Sequence, residues 1–125
     1  MSHNVGIKEM RQETMTEKNH LGEFEHVVLL AILRLDDEAY GVPIRREIED
    51  QTGRAVARGA LYTTLDRMEN KGYLTSRVGD PTPRRGGRAR RYFAITAPGY
   101  AALRASREAL LNMWNGYESV IEKAK

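Results

Sequence analysis

Five arginines crowd into eight positions past the middle of the chain: Arg84, Arg85, Arg88, Arg90 and Arg91, with Gly86 and Gly87 among them. Guanidiniums this close repel one another unless an anion lies between them. Such a cluster suits the phosphates of a nucleic acid, or a narrow minor groove where the potential is most negative. The two glycines let the backbone change shape and come close to a partner. The same composition is also compatible with a solvated loop that has no partner. A second group lies between Arg58 and Lys71, where Tyr62, Thr63, Thr64, Asp66, Arg67 and Asn70 surround the apolar Leu61, Leu65 and Met68. Short hydrogen-bonding and cationic side chains of this kind read base edges in a major groove.

Catalytic chemistry finds little material. His3 and His20 fall in a polar N-terminal stretch, and His26 has no partner at metal-ligand spacing. Asp36-Asp37-Glu38 reads as a solvated turn, and no second acidic cluster accompanies it. Ser2, Ser76, Ser106 and Ser119 lack an elbow motif or an adjacent base. The absence of cysteine excludes a disulfide framework, a thiolate zinc site and a cysteine nucleophile, and fits a reducing compartment. No enzyme, metal site or cofactor is expected.

The elements that would hold these groups follow from periodicity. Residues 1–20 are polar and read as a flexible or weakly helical arm. Phe24, Val27, Val28, Ala31 and Leu35 repeat at helical spacing, predicting a helix over Leu21–Leu35 with Glu23, Glu25 and Arg34 as its polar residues. Leu29, Leu30, Ile32 and Leu33 make it apolar on most sides, as in the buried centre of a small domain. A second helix is predicted over Val42–Thr52, with Pro43 in its first turn and Gly53 as its stop. A third is predicted over Arg58–Lys71, ended by Gly72; Leu61, Leu65 and Met68 share its inward face. Tyr73–Val78 and Arg91–Ile95 then alternate as strands around the Gly-, Pro- and Arg-rich GDPTPRRGGRAR, giving a hairpin with a basic tip. Thr96 is a candidate N-cap for a last helix over Ala97–Glu122. Along it, Tyr100, Leu103, Arg107, Leu110, Trp114, Tyr117 and Ile121 form a seam at steps of three and four. A domain of this size cannot cover so long a helix, so the seam calls for another chain.

The 125 residues form one domain's worth of chain with globular composition, 41% hydrophobic and 30% charged. The net charge of +3 conceals an asymmetry: Arg54–Arg91 carries +7, and the other 87 residues carry −4. A basic middle between acidic flanks is an electrostatic footprint for an anionic polymer. The longest apolar run, Val27–Leu33, is too short to span a bilayer, and the N-terminus lacks the apolar stretch of a signal peptide. No membrane partner is expected, and the location expected is cytoplasmic.

Three helices followed by a hairpin is the order of a winged helix-turn-helix. The expected fold is therefore mainly α with a small β-hairpin: residues 21–96 as the DNA-binding unit and 97–125 as a long C-terminal dimerisation helix. The third helix would enter the groove and the hairpin would give a second contact. Two other readings use the same residues. One is a non-specific architectural or RNA-binding module, although the hairpin aromatics Tyr73, Tyr92 and Phe93 are few for a stacking platform. The other is an adaptor whose long helix pairs with a different chain.

The stretch Gly59-Ala60-Leu61-Tyr62-Thr63-Thr64-Leu65-Asp66-Arg67-Met68-Glu69-Asn70-Lys71-Gly72-Tyr73-Leu74 resembles the recognition-helix signature of the PadR family of bacterial transcriptional regulators. Tyr40-Gly41, Arg91-Tyr92-Phe93 with Ile95-Thr96, and Thr96-Ala97-Pro98-Gly99 are also similar to that family, so the resemblance covers about residues 24–122. Thr63 departs from it, standing where proline is frequent, and so does Pro43, where an acidic or other helical residue is common. The resemblance implies a homodimer on a two-fold symmetric double-stranded DNA operator, repression, and often release by a small molecule. It points to the shorter branch of the family, with a single C-terminal helix.

Individual residues keep two readings each. Tyr62 lies about 100° round the helix from Leu61, at the edge of the inward face; the family motif favours a DNA-facing hydroxyl. Arg58 and Thr63 lie near the helix N-terminus, where N–H groups favour phosphate. Arg67 can reach a base or the backbone, or pair with Glu69 or Asp66. Ala60 suits a thymine methyl. Trp114 and Tyr117 are dimer-seam packing residues first, and the resemblance leaves room for a flat aromatic effector against them.

Overall fold

The computed structural model describes residues 20–79 and 89–124. The expected arm, residues 1–20, lies outside them except for His20, as do Arg84, Arg85 and Arg88. Helix α1 spans Glu23–Leu35, a short 3-10 turn follows at Asp36–Glu38, α2 spans Gly41–Thr52 and α3 spans Arg58–Asn70. Strands β1 (Leu74–Val78) and β2 (Arg91–Ile95) pair antiparallel, with Leu74 opposite Ile95 and Val78 opposite Arg91. Tyr40 bridges to Tyr92, and the Phe93 N–H donates to the Ala39 carbonyl, which adds a short third edge to the hairpin.

The apolar stripes of α2 and α3 do what their spacing predicts, whereas in α1 the buried side is Val28, Leu29, Ala31 and Ile32, and Phe24, Val27 and Leu35 of the expected stripe are only partly buried. Val28, Leu29 and Ile32 of α1, Ile44 and Ile48 of α2, and Leu61, Leu65 and Met68 of α3 close one core with Tyr73, Leu74 and Phe93 of the hairpin. Gly53 and Gly72 take left-handed backbone, φ +74° and +86°, and stop α2 and the turn after α3.

Two parts of α1 differ from the sequence-based expectation. Leu30 and Leu33 are exposed, 39% and 45%, so the helix is not covered on most sides within one chain. Glu25, expected among the polar outer residues, is buried. Its Oε1 accepts from the Gly22 N–H at 2.8 Å as an N-terminal cap, and its Oε2 takes Arg67 Nε at 3.1 Å and Lys71 Nζ at 3.2 Å. One carboxylate thus ties the start of α1 to the last turn of α3. Burial pushes its carboxyl up, but the Gly22 N–H, Arg67 and Lys71 together outweigh that and hold it below its ordinary value.

Two glycines mark close approaches. A Cβ on Gly99 would lie 2.2 Å from the Tyr73 carbonyl oxygen, and one on Gly41 would lie 2.0 Å from the Tyr62 hydroxyl. The two motif fragments Tyr40-Gly41 and Leu61-Tyr62, far apart in sequence, are therefore one contact in space.

The last helix is the main correction. Thr96 caps it as expected, accepting from the Gly99 N–H at 3.1 Å and donating to the Gly72 carbonyl. However, α4 runs only over Ala97–Trp114. The chain breaks at Asn115-Gly116, where Gly116 takes φ +84°, and resumes as the short α5 over Glu118–Lys123. Glycine is about 1 kcal/mol poorer than alanine inside a helix and enters left-handed backbone freely. The two helices leave Leu110, Leu111, Met113, Trp114, Tyr117, Val120 and Ile121 exposed. The start of α4 is seated in the core by Ala102 and Leu103, and His26 Nδ1 of α1 lies 2.7 Å from Ser106 Oγ.

Replacing Glu25 with Gln is expected to lower unfolding stability by about 1 kcal/mol or somewhat more. Charge-assisted bonds are lost, but the half-exposed Arg67 can turn to water. Because the carboxyl titrates lower folded than unfolded, its contribution is complete above the ordinary value of 4.5 and disappears as pH falls through the lowered folded value. Denaturant titrations below pH 4.5 should therefore show a shallower acid loss in Glu25→Gln than in the parent; parallel acid limbs would contradict the assignment.

Candidate nucleic-acid interface

Helix α3 presents a polar stripe opposite its core face. Gly59, Ala60, Thr63, Asp66, Arg67 and Asn70 are all exposed and recur at helical spacing. Thr64, read from sequence as part of this outer face, is instead buried with Leu65. The stripe begins at an uncapped end. Ala57 occupies the N-cap and has no side chain that can accept, so the first-turn N–H groups of Arg58, Gly59 and Ala60 have no side-chain cap. Alanine here costs about 1 kcal/mol relative to a good cap. It leaves the positive end of the helix to an outside acceptor such as a phosphate. The Arg58 guanidinium lies over the Tyr62 ring, 5.6 Å from its centroid, at the same end.

The candidate residues divide into two sets. Arg58, Ala60 and Thr63 share the exposed start of the stripe. Tyr62 packs against the core, with its hydroxyl beside Gly41. Arg67 borders the stripe but is bonded to Glu25, not to the sequence neighbours Asp66 or Glu69. That partner lies 42 residues away, so sequence spacing gave no sign of it.

At the hairpin, the outward face stacks cations on rings. Arg77 sits over Tyr92 at 4.5 Å and Arg90 over Tyr40 at 4.2 Å, with the two tyrosine rings edge to face at 5.3 Å. Arg90 Nε is buried and has no hydrogen-bond partner among the described residues. The cation is held by the Tyr92 side chain first and by the Tyr40 ring beneath it. Arg91, grouped by sequence with the loop arginines, is tied to two carboxylates. Its Nη1 donates to Asp66 Oδ1 at 2.9 Å and its Nη2 to Glu69 Oε1 at 2.5 Å. Burial penalises its cation, but the two carboxylates outweigh that and hold it charged. Arg84, Arg85 and Arg88 lie outside the described residues.

Trp114 and Tyr117 flank the break after α4, and both are exposed, 44% and 64%. They sit on opposite sides of Asn115-Gly116, so they do not belong to one continuous helical seam. Among the described residues, no group of three or more acidic or histidine side chains could hold a metal ion, and no helix is long and apolar enough to cross a membrane.

The profile of the PadR-like family of transcriptional regulators matches residues 29–105, which include α2, α3, both strands and most of α1. Transcriptional regulator Rv3488 of Mycobacterium tuberculosis (strain ATCC 25618 / H37Rv) is 42% identical over 77 residues, covering 60% of this chain and 65% of that protein. The chain thus spans a little under two thirds of that relative. A PadR-like transcription factor from Bacteroides fragilis is 26% identical with a TM-score of 0.58, over 84% of this chain and 96% of that one. A PadR family transcriptional regulator from Eggerthella lenta shares the fold at 21% identity and a TM-score of 0.62, over 95% and 98%. The family match extends over more than half of the chain, and the winged-helix architecture agrees with it: the protein belongs to the PadR-like family of transcriptional regulators.

Proposed function

We propose that this regulator is a sequence-specific repressor that binds a two-fold symmetric operator in double-stranded DNA as a homodimer. The observation that carries the reading is the exposed stripe of α3, which starts at an uncapped helix end beside Arg58. A B-DNA major groove about 12 Å wide admits one helix. In this reading the first-turn N–H groups and Arg58 take a phosphate, while Ala60 and Thr63 meet base edges. Tyr62 holds α2 against α3 and keeps its hydroxyl at the rim, and the outer half of Arg67 borders the groove. Arg84, Arg85, Arg88 and Arg90 supply phosphate contacts from the wing.

The homodimer is supported by the apolar surface of α4 and α5, where seven large hydrophobic side chains from Leu110 to Ile121 stand exposed in one chain. So many large apolar side chains exposed on two successive helices mark an interface. A second copy would cover it and give the two-fold axis that a symmetric operator mirrors. A small flat aromatic effector would sit against Trp114 and Tyr117, near the break between the two helices, and would act by changing the dimer's shape. The expected location is the cytoplasm.

Four outcomes test this. Binding to a duplex selected from random DNA should weaken as salt rises, with log K falling by about 0.9 per phosphate contacted. Alanine at Arg84, Arg85 and Arg88 should flatten that slope and weaken selected and unrelated duplexes alike; an unchanged slope would remove the wing from the interface. Thr63→Ala should cost on the order of 1–3 kcal/mol on the selected duplex and little on an unrelated one. Equal losses on both would favour a non-specific architectural protein. Finally, aspartate at Leu110 and Trp114 should convert a dimer to a monomer in sedimentation equilibrium, and a parent protein that sediments as a monomer would contradict the dimer.

A further inference from the structure

Arg91 opens β2 and stands opposite Val78 at the last paired position of the hairpin before the chain continues into residues 80–88. Its guanidinium reaches across to α3 and β1, and each nitrogen faces an oxygen there. Nη1 bonds Asp66 at 2.9 Å, Nη2 bonds Glu69 at 2.5 Å, and Nε lies 3.4 Å from Ser76 Oγ. The Ser76 hydroxyl in turn donates to the other Glu69 oxygen at 2.8 Å, and the guanidinium carbon lies 4.8 Å from the Phe93 ring centroid. Asp66 and Glu69 sit three residues apart, so both project from one side of α3. The body of α3 packs beside β1, and Arg91 carries the link past β1 to β2.

This geometry opposes the obvious role for an arginine beside a wing. A phosphate approaching Arg91 would have to displace two carboxylates that are already bonded to it, and those carboxylates repel the phosphate. Forked arginine–carboxylate contacts also fix direction as well as distance, since the guanidinium is planar and its donors are rigid. We propose that Arg91 is a positioning residue that locks the wing to the recognition helix, setting the separation and angle at which the two reach a duplex, and that it is not itself a phosphate ligand. This rests on the DNA-binding reading above and deepens it: a wing and a helix held at one spacing can contact only duplexes whose groove widths fit that spacing. The lock thus contributes to the choice between sequences without touching a base.

The test compares Arg91→Gln, Glu69→Gln and the double variant with the parent protein. The probes are a duplex selected from random DNA by the parent and a scrambled duplex of equal length. The lock predicts that either single change lowers the selected-to-scrambled affinity ratio by roughly tenfold, the scale of one lost specific contact. The double variant should lose no more than Arg91→Gln alone, since that change already removes the bond to Glu69 along with the one to Asp66. The salt slope should stay at the parent value in all three. Arg91→Lys, which keeps the charge but loses the fork, guards against a fold-only effect and should give an intermediate ratio.

A phosphate ligand predicts the opposite signs. Arg91→Gln would then flatten the salt slope by about 0.9 per protomer. Glu69→Gln would remove one of the two carboxylates that hold the guanidinium and repel a phosphate, and would tighten both duplexes. Either result overturns the lock, as does a lowered melting temperature with an unchanged affinity ratio. A parent protein that enriches no duplex at all would remove the DNA-binding reading and the lock with it, whereas a parent that discriminates while its variants discriminate equally well would remove the lock alone.

Discussion

The recognition helix is held in place by carboxylates on both of its flanks. On one side, the buried Glu25 takes Arg67 and Lys71 from α3 and caps α1 with its other oxygen. On the other, Asp66 and Glu69 of α3 take Arg91 from β2. The apolar stripe of Leu61, Leu65 and Met68 fixes which face of α3 looks inward but leaves it able to slide or rotate slightly. The ion pairs restrict that freedom, because a planar guanidinium shared between acceptors is demanding in geometry and the carboxylate of Glu25 is buried. The exposed stripe is presented at a defined angle only while both flanks are held. The uncapped end at Ala57 belongs to the same arrangement, since a helix anchored on its flanks tolerates a poor cap at the end it offers to an anion.

A consequence is that the basic footprint is smaller than the formal charge of the middle segment. Arg54 pairs with Glu23, Arg67 and Lys71 share Glu25, and Arg91 lies between two acids. Arg77 and Arg90 rest on tyrosines. Surface pairs such as Arg54–Glu23 are weak and can be exchanged for a phosphate at small cost. The paired cations around Glu25 and Glu69 cannot be withdrawn without loosening the helix. Arg58, which rests on Tyr62 at the longer distance of 5.6 Å and has no carboxylate partner among the described residues, keeps its charge next to the open helix end. This concentrates attraction where the groove-facing stripe begins.

Much of this was legible in the sequence, for identifiable reasons. The apolar periods placed α1, α2 and α3, because each buries one face of a small domain. Gly53, Gly72 and Thr96 marked ends that needed left-handed backbone or a capping hydroxyl. Charge partners were not legible. Glu25 looks like a surface residue in the first turn of a helix, and its partners lie 42 and 46 residues on, joined only by the fold. Arg91 looked like one more loop arginine, since nothing local shows that α3 aims two acids at it. His26 looked isolated for the same reason, its contact being Ser106, 80 residues away. The break at Asn115-Gly116 was visible as an Asn-Gly pair, but a seven-position seam that runs through it masked the signal. Thr64 was misplaced because a helix with its charged residues outside can still bury one small hydroxyl beside Leu65.

The most direct measurement is hydrogen exchange of the α3 backbone with and without a duplex selected from random DNA. The amides of Arg58, Gly59 and Ala60 lack partners in the helix, so they should exchange fast in the free protein and slow on adding the duplex, as phosphate oxygens accept from them. Slowing confined to other parts of the chain, with those three amides unchanged in the bound state, would contradict the account.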